Sequence, residues 1–169
     1  MGECGAKWNF WPYQGVKVFL GVSNLNLDAK GRLQVPAKHR ERLRERSGAR
    51  LVVTLNPTER CLWLYPEDRW REIETVVSKL PTLQQANVNL QRLLLGNAQE
   101  SDMDAQGRIL LSAELREYAG LEKRVSMVGI GDKFELWNEE VWTAQRQTLL
   151  QQASDKASQL SEELQNLVL

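Results

Sequence analysis

The chain has 169 residues, with 22 basic and 22 acidic side chains, one histidine and a formal net charge of zero at pH 7. It contains no apolar run of the roughly 18 residues that a membrane-spanning helix needs, and its start lacks the layout of a secretory signal. We therefore expect a cytoplasmic protein without a membrane partner. Its two cysteines, Cys4 and Cys61, lack metal-site spacing, so we expect no metal, no disulfide and a packing role for Cys61.

The zero net charge conceals a gradient along the chain. Residues 17–50 hold nine Lys/Arg against three acids, whereas residues 100–152 hold six against ten. A local basic surplus is what polyanion binding requires, because each neutralised phosphate releases counterions. A solvated helix face that carries arginine for solubility fits the charge pattern equally well.

The first half predicts a β-hairpin, a short helix and a second β-hairpin. Residues 18–27 alternate weakly and lead into a five-residue turn, 28–32, where Gly31 offers a positive φ before a short strand. Pro36 opens a helix that Gly48 closes, and β-rich runs follow at 51–55 and 61–65. Asp28 and Arg32 should therefore flank the tip of the first hairpin.

Helices are predicted between the two halves and after the second. The first begins at Pro66 and ends before Pro81, with one apolar face formed by Trp70, Ile73, Val76, Val77 and Leu80. After the second half, Asn138 caps another helix. A last amphipathic stretch places its leucines on one face, at positions 160, 164 and 167.

The second half repeats the first. Residues 28–43, DAKGRLQVPAKHRERL, return at 104–118 as DAQGRILLSAELREY, an offset of 76, and the later β-rich runs return at an offset of 72. A module of roughly 45 residues buries too little apolar surface to be stable alone, so the copies should share a core with each other, with another chain or with both. We predict an α+β fold with two tandem β-rich modules, at 22–69 (repeat one) and 98–141 (repeat two). A helical connector is expected at 70–97 and a C-terminal helical tail at 142–169.

Four segments carry a resemblance to a known family. DAKGRLQVPAKHR, LLLG at 93–96, DAQGRILLSAELR and VGIGDKFELWNEEVW together resemble the MraZ family over nearly the whole chain. The resemblance implies SpoVT-AbrB-like, swapped-hairpin-type modules, each with a DxxxR motif, matched by Asp28 and Arg32 and by Asp104 and Arg108. It also implies a nucleoid-associated transcriptional regulator, which we expect to be a repressor. Such a protein forms ring-like homo-oligomers and binds short direct repeats of double-stranded DNA upstream of the division and cell-wall gene cluster that contains its own gene.

The start of the chain departs from the family pattern. Such proteins typically begin Met-Phe-Arg-Gly, whereas here Val18-Phe19-Leu20-Gly21 follows an unrelated segment. Leu20 thus replaces one expected cationic side chain. We expect residues 1–17 to be a non-native extension produced by an upstream start.

Repeat one is the half that we expect to contact DNA. A cluster of cations at its tip and helix can bind phosphates while Arg32 contacts a guanine through its two-pronged fork. The predicted contacts are Lys30, Arg32, Lys38, Arg40 and Arg42, with Asp28 orienting the tip. In repeat two the place of Lys30 is taken by Gln106 and the helix carries Glu114 and Glu117. Arg108 should therefore contribute less, and its pairing with Asp104 is expected mainly to order the loop.

Other function classes are less well supported by the residues. His39 is the only histidine, and a lone helical histidine is more often surface or packing than a catalytic base. With no adjacent nucleophile and no Gly-rich phosphate loop, we expect no enzyme, no cofactor and no small-molecule substrate. Tryptophans at equivalent repeat positions indicate core rather than base stacking. An antitoxin-type module that binds both DNA and a protein remains an alternative, as does a structural ring without DNA affinity.

Overall fold

The structure is a computed structural model that describes residues 18–156. The predicted extension at 1–17 and the amphipathic stretch at 160–167 lie outside the described residues. Repeat one supplies β1 (Phe19–Asn26), β2 (Arg32–Gln34), α1 (Ala37–Ser47), β3 (Leu51–Leu55) and β4 (Leu62–Pro66). Two connecting helices follow, α2 (Glu67–Ser78) and α3 (Gln85–Leu94). Repeat two supplies β5 (Gln99–Glu100), β6 (Arg108–Leu110), α4 (Ala113–Tyr118), β7 (Arg124–Gly131) and β8 (Phe134–Asn138), and α5 (Glu139–Lys156) comes last.

Six strands form one antiparallel sheet in the order β1-β7-β8-β4-β3-β5. The predicted hairpins β3–β4 and β7–β8 are present and lie next to each other through the β4–β8 pairing. The outer strands are exchanged between the repeats, since β1 pairs with β7 and β5 pairs with β3. This reciprocal exchange confirms a swapped arrangement of two tandem modules.

The prediction that β1 and β2 form a hairpin is wrong, because β2 pairs with a different strand. β1 and β2 share only an isolated bridge between Leu27 and Leu33. Instead, β2 pairs with β6 of repeat two in a separate two-stranded sheet, with Leu33 directly opposite Ile109. Both side chains are buried, at 0% and 1% exposure. A three-residue strand has an alternation too short to specify its partner, and the shared core decides it.

One hydrophobic core joins the two repeats, as the size of each module predicts. Leu33, Leu43 and Val53 of repeat one pack in the same cluster as Leu115 and Leu136 of repeat two. Each module therefore completes the apolar surface that the other cannot bury alone.

The helix boundaries follow the predicted capping residues. α1 begins after Pro36 and ends at Gly48, whose φ is 63°. Asn138 Oδ1 accepts hydrogen bonds from the first backbone N–H groups of α5. The predicted apolar face of α2 is wrong at Val76, which is 65% exposed although Val77 is buried. Neighbouring residues on a helix point about 100° apart, so a single packing surface cannot cover both. No helix among residues 18–156 has the length and apolarity needed to cross a membrane.

Candidate nucleic-acid interface

The tip of repeat one is a turn organised by Asp28. Its Oδ1 accepts hydrogen bonds from the backbone N–H groups of Lys30 and Arg32, both at 2.9 Å. Its Oδ2 accepts one from Arg32 Nε at 2.7 Å. The backbone hydrogen bond from Arg32 is the main cause that holds the pKa of the Asp28 carboxyl below its usual value. Gly31 has a φ of 80°, which confirms the predicted positive-φ position.

The tip of repeat two has the same geometry. Asp104 Oδ1 accepts from the backbone N–H groups of Gln106 at 3.0 Å and Arg108 at 2.9 Å, and Oδ2 accepts from Arg108 Nε at 2.9 Å. The pKa of Asp104 is also lowered, chiefly by the backbone hydrogen bond from Arg108. Gly107 has a φ of 79°. In each DxxxR motif, the aspartate therefore holds the side chain of its own arginine in a fixed position.

The strands β2 and β6 bring both motifs onto one surface. Arg32 lies opposite Leu110, and Gln34 lies opposite Arg108. Because Leu33 and Ile109 between them point into the core, these four side chains share the outer face. We call this surface the ribbon face, defined by Arg32, Gln34, Arg108 and Leu110. The arginine side chains are about equally accessible on it, at 33% for Arg32 and 30% for Arg108.

Two further arginines link each helix to the tip of the other repeat. Arg40 Nε on α1 donates to Val35 O at 2.7 Å, and an ideal Cβ built on Gly107 would lie 2.4 Å from that nitrogen. Arg116 Nε on α4 donates to Leu111 O at 3.2 Å, and a Cβ on Gly31 would lie 2.9 Å from it. Both tip glycines thus leave room for an arginine that comes from the opposite repeat.

The predicted basic contacts fall into separate places. Lys30 is exposed at tip one, beside the ribbon face. Lys38 is also exposed, but its Nζ lies 3.4 Å from where a Cβ on Gly21 of β1 would stand. Arg42 Nη1 donates to Val18 O at 3.0 Å, just before β1 begins. The structure therefore groups Asp28, Lys30, Arg32 and Arg108 at the ribbon and tips, whereas Lys38 and Arg42 lie along β1.

Sequence reasoning missed the functional candidates Gln34 and Leu110 on the ribbon face. The sequence does indicate that Gln34 faces outward, because a buried Leu33 places its two neighbours on the opposite side of the strand. The sequence does not indicate that β2 pairs with β6, and that pairing is what brings Leu110 onto the same face. Arg116 was not predicted to support tip one.

The two side chains with the best potential for catalysis are buried. His39 is 3% exposed and packs edge-on against the rings of Phe19 and Phe134. The pKa of its imidazole is lowered to about 4, chiefly by burial and in the same direction by nearby Lys38 and Arg42. Cys61 is fully buried, and burial raises the pKa of its thiol to about 12 despite a hydrogen bond from Asn56. The packing role expected for Cys61 is confirmed.

The tryptophans in the repeats are also packing residues. Trp70 and Trp137 are buried, and Trp63 and Trp142 are partly buried. The indole N–H groups of Trp63 and Trp137 both donate to the carboxylate of Glu135, at 3.3 and 2.9 Å. The core interpretation of these four side chains is therefore confirmed.

Glu135 also lies near Glu59 and Cys61. The carboxylate oxygens and the thiol sulfur of these three residues, which are atoms that can bind a metal ion, lie within 4.8 Å of one another.

A chain with this fold and this paired ribbon is a tandem swapped-hairpin protein. The profile of the MraZ protein family, whose description includes the term antitoxin-like, matches residues 18–93 and again 94–164. The chain belongs to the MraZ family.

Several relatives extend the similarity over most of the chain. The transcriptional regulator MraZ of Halorhodospira halophila is 48% identical over 152 residues, which are 90% of this chain and the full length of that protein. The protein of the same name from Thioalkalivibrio sulfidiphilus is 45% identical over the same extent. The one from Marinobacter nauticus is 50% identical over 127 residues, covering 75% of this chain and 85% of that protein.

Proposed function

We propose that this protein binds double-stranded DNA in a sequence-specific manner through the ribbon face and the two tips, and thereby regulates transcription. The names of its relatives support regulation of transcription as the broad role. The finer proposal is a nucleoid-associated repressor of the division and cell-wall gene cluster that includes its own gene.

The observation that carries the proposal is the placement of two fixed arginines on one exposed two-stranded ribbon. A ribbon of this width fits the major groove of B-DNA, and an arginine fork matches the O6 and N7 atoms of guanine. Asp28 and Asp104 hold Arg32 and Arg108 through Nε. In Arg108, Nη2 also donates to Gln106 Oε1 at 3.2 Å. A side chain that is already ordered loses less conformational entropy on binding.

Repeat one should make the stronger contact because its surroundings are more basic. Lys30 stands at tip one, whereas tip two carries Gln106 in the equivalent position. Extra cations increase affinity by releasing counterions from the DNA. We propose that Lys38, Arg40 and Arg42 add to the positive electrostatic potential that attracts DNA, although Arg40 also supports tip two.

A mobility-shift titration tests the proposal, with the DNA immediately upstream of the protein's own gene as the probe. Arg32→Ala should weaken binding to this fragment by about fivefold or more, since one good guanine contact contributes about 1–3 kcal/mol. Arg108→Ala should weaken it less. Arg71→Ala is the matched control, because Arg71 is an exposed arginine paired with an acid, Glu67, on the connecting helix α2. Equal affinity of the wild-type protein for the upstream fragment and for unrelated DNA would refute the proposal.

The proposed assembly is a homo-oligomeric ring that binds several equally oriented boxes. One ribbon makes few contacts, so neighbouring protomers should convert later binding events into intramolecular ones. Boxes should then recur at about one helical turn, roughly 10 base pairs. Inserting half a turn between two boxes should reduce affinity far more than inserting a full turn. Equal effects of the two insertions would show that the protomers bind independently.

The antitoxin alternative is less well supported. It predicts a single DNA-binding module followed by a disordered partner-binding tail. Here two complete modules share one core, and the described part of the tail is the helix α5.

A further inference from the structure

The ribbon face is almost symmetric and departs from symmetry at one position. An approximate two-fold axis through the Leu33–Ile109 pair exchanges Arg32 with Arg108 and Gln34 with Leu110. The face therefore has two rows, each with an arginine from one repeat beside a residue from the other. Arg32 has an apolar neighbour, Leu110, whereas Arg108 has an amide neighbour, Gln34.

Leu110 is strongly exposed for an aliphatic side chain in a strand. It is 59% exposed, whereas Ile109 before it and Leu111 after it are each 1% exposed. Its backbone is held firmly, since Leu110 O accepts a hydrogen bond from Ser101 Oγ at 2.7 Å and the next N–H donates to Gly31 O at 2.8 Å. The structure thus fixes an apolar group between the two arginines of a polar surface.

Gln34 is engaged within the protein. Its Nε2 donates to Gln106 O at 2.6 Å, so that this side chain ties the strand of repeat one to the tip of repeat two. The two rows of the ribbon face consequently offer different chemistry to a ligand. One presents a cation beside a methyl-bearing side chain, and the other a cation beside a carboxamide that is already hydrogen-bonded.

We infer that Leu110 contacts the C5 methyl group of a thymine next to the base pair that Arg32 contacts. Thymine is the DNA base that offers a methyl group in the major groove, and an aliphatic side chain is its natural partner. Residues opposite each other in an antiparallel pair have Cβ atoms about 4.5–5.5 Å apart, which suits contacts with base pairs stacked about 3.4 Å apart. The inference rests on the proposed function, since it assigns a specificity-determining residue to that DNA surface.

The assignment explains how one ribbon distinguishes the two directions along DNA. A fully symmetric face would bind a site equally well after a half-turn rotation about its two-fold axis. A methyl contact at Leu110 that has no counterpart at Gln34 favours one direction. Equally oriented protomers on direct repeats require such a preference.

Replacing thymine with deoxyuracil tests the inference, because it removes the methyl group and keeps the pairing edge. The probe is the fragment upstream of the protein's own gene, synthesised once with thymine and once with deoxyuracil. Wild-type protein should bind the deoxyuracil fragment about fourfold more weakly for each box contacted, the loss expected for one buried methyl-sized group. Leu110→Ala and Leu110→Gln should bind the two fragments with nearly equal affinity.

Val76→Ala is the matched control, because Val76 is an exposed aliphatic residue on α2, away from the ribbon. It should retain the full preference for thymine, and all variants should elute as the wild-type assembly in size-exclusion chromatography. Loss of assembly in Leu110→Ala would overturn the inference and assign this side chain to a contact between protomers. Wild-type affinity that is insensitive to the methyl group, with the Arg32→Ala defect intact, would overturn the inference and leave the proposed function standing. Absence of preferential binding by the wild-type protein would overturn both.

Discussion

Repeat one and repeat two build the same turn in different surroundings. The five hydrogen bonds around Asp28 agree with those around Asp104 to within 0.2 Å. The following helices differ, with eleven residues in α1 and six in α4. The outer strands differ as well, with eight residues in β1 and two in β5. Tip geometry is therefore set within five residues, whereas the charge and size of its surroundings can change independently.

The largest expected effect concerns the crowded tip glycines. Gly31→Ala and Gly107→Ala both place a Cβ at a positive φ, which costs about 1–2 kcal/mol, and both create a close contact. Gly31→Ala should destabilise more, because its Cβ meets the fixed carbonyl of Leu111 at 2.9 Å, whereas Gly107 meets the side chain of Arg40. Denaturant unfolding curves provide the measurement.

The same chain offers controls for the glycine prediction. Gly48 and Gly120 also have positive φ, but an ideal Cβ at either position would have no atom within 4 Å, so their alanine variants should show the backbone cost alone. Adding Arg40→Ala should relieve part of the Gly107→Ala defect and none of the Gly31→Ala defect. Equal losses of stability in all four glycine variants would contradict the close packing of each tip glycine against an arginine of the opposite repeat.

The next effect concerns a buried histidine that repeat two replaces with leucine. His39 corresponds to Leu115, and both are buried. Because the pKa of His39 is about 4 in the folded protein and near 6.5 when unfolded, the unfolded chain binds the extra proton first as pH falls. Stability should therefore decrease as pH falls from about 6.5 to 4, by on the order of 2–3 kcal/mol in the free energy of unfolding.

His39→Leu should remove that pH dependence and leave the acid transition of the carboxylates, which begins at lower pH. It also removes the buried Nδ1, which has no hydrogen-bond partner within the described part of the chain. Unfolding curves at pH 7 and pH 4.5 suffice for the measurement. A variant with the same pH dependence as the wild type would show that another group causes it.

A smaller effect should follow from exchanging the charges of the tips. Lys30→Gln should make the dependence of DNA affinity on salt shallower, by about 0.9 in the slope of log K against log salt, if one phosphate contact is lost. Gln106→Lys should steepen it by a similar amount, because both tips flank the same ribbon. An unchanged slope for Gln106→Lys would mean that tip two lies away from DNA.

The smallest effect is expected from the carboxylates themselves. Asp28→Asn and Asp104→Asn keep an oxygen that can accept the backbone hydrogen bonds but remove the exposed ion pair. The shift in unfolding midpoint should be small and nearly equal for the two variants. Clearly unequal shifts would show that residues outside the turn affect the strength of its ion pair and that the two tips are not equivalent.

Local features were predictable from the sequence to different degrees. The repeat, the turn at Asp28, the start of α1 after Pro36 and the hairpin β3–β4 follow from residue types and spacing within a few positions. The pairing of β2 with β6 was not predictable, because it joins residues 74 to 78 positions apart through strands of three residues. The ribbon face could be recognised only with that pairing, so Gln34 and Leu110 were not among the predicted contacts, whereas Arg32 and Arg108 were.

The ribbon has a consequence for protein synthesis. Its two strands come from opposite halves of the chain, and the outer strand β1 has its sheet partner, β7, about a hundred residues downstream. A nascent polypeptide in which residue 108 has not yet been translated contains the residues of tip one but no second strand to pair with β2. Premature termination or proteolytic loss of the second half removes the whole paired surface rather than half of it. A folded ribbon therefore forms only in a chain that was completed at least through β6.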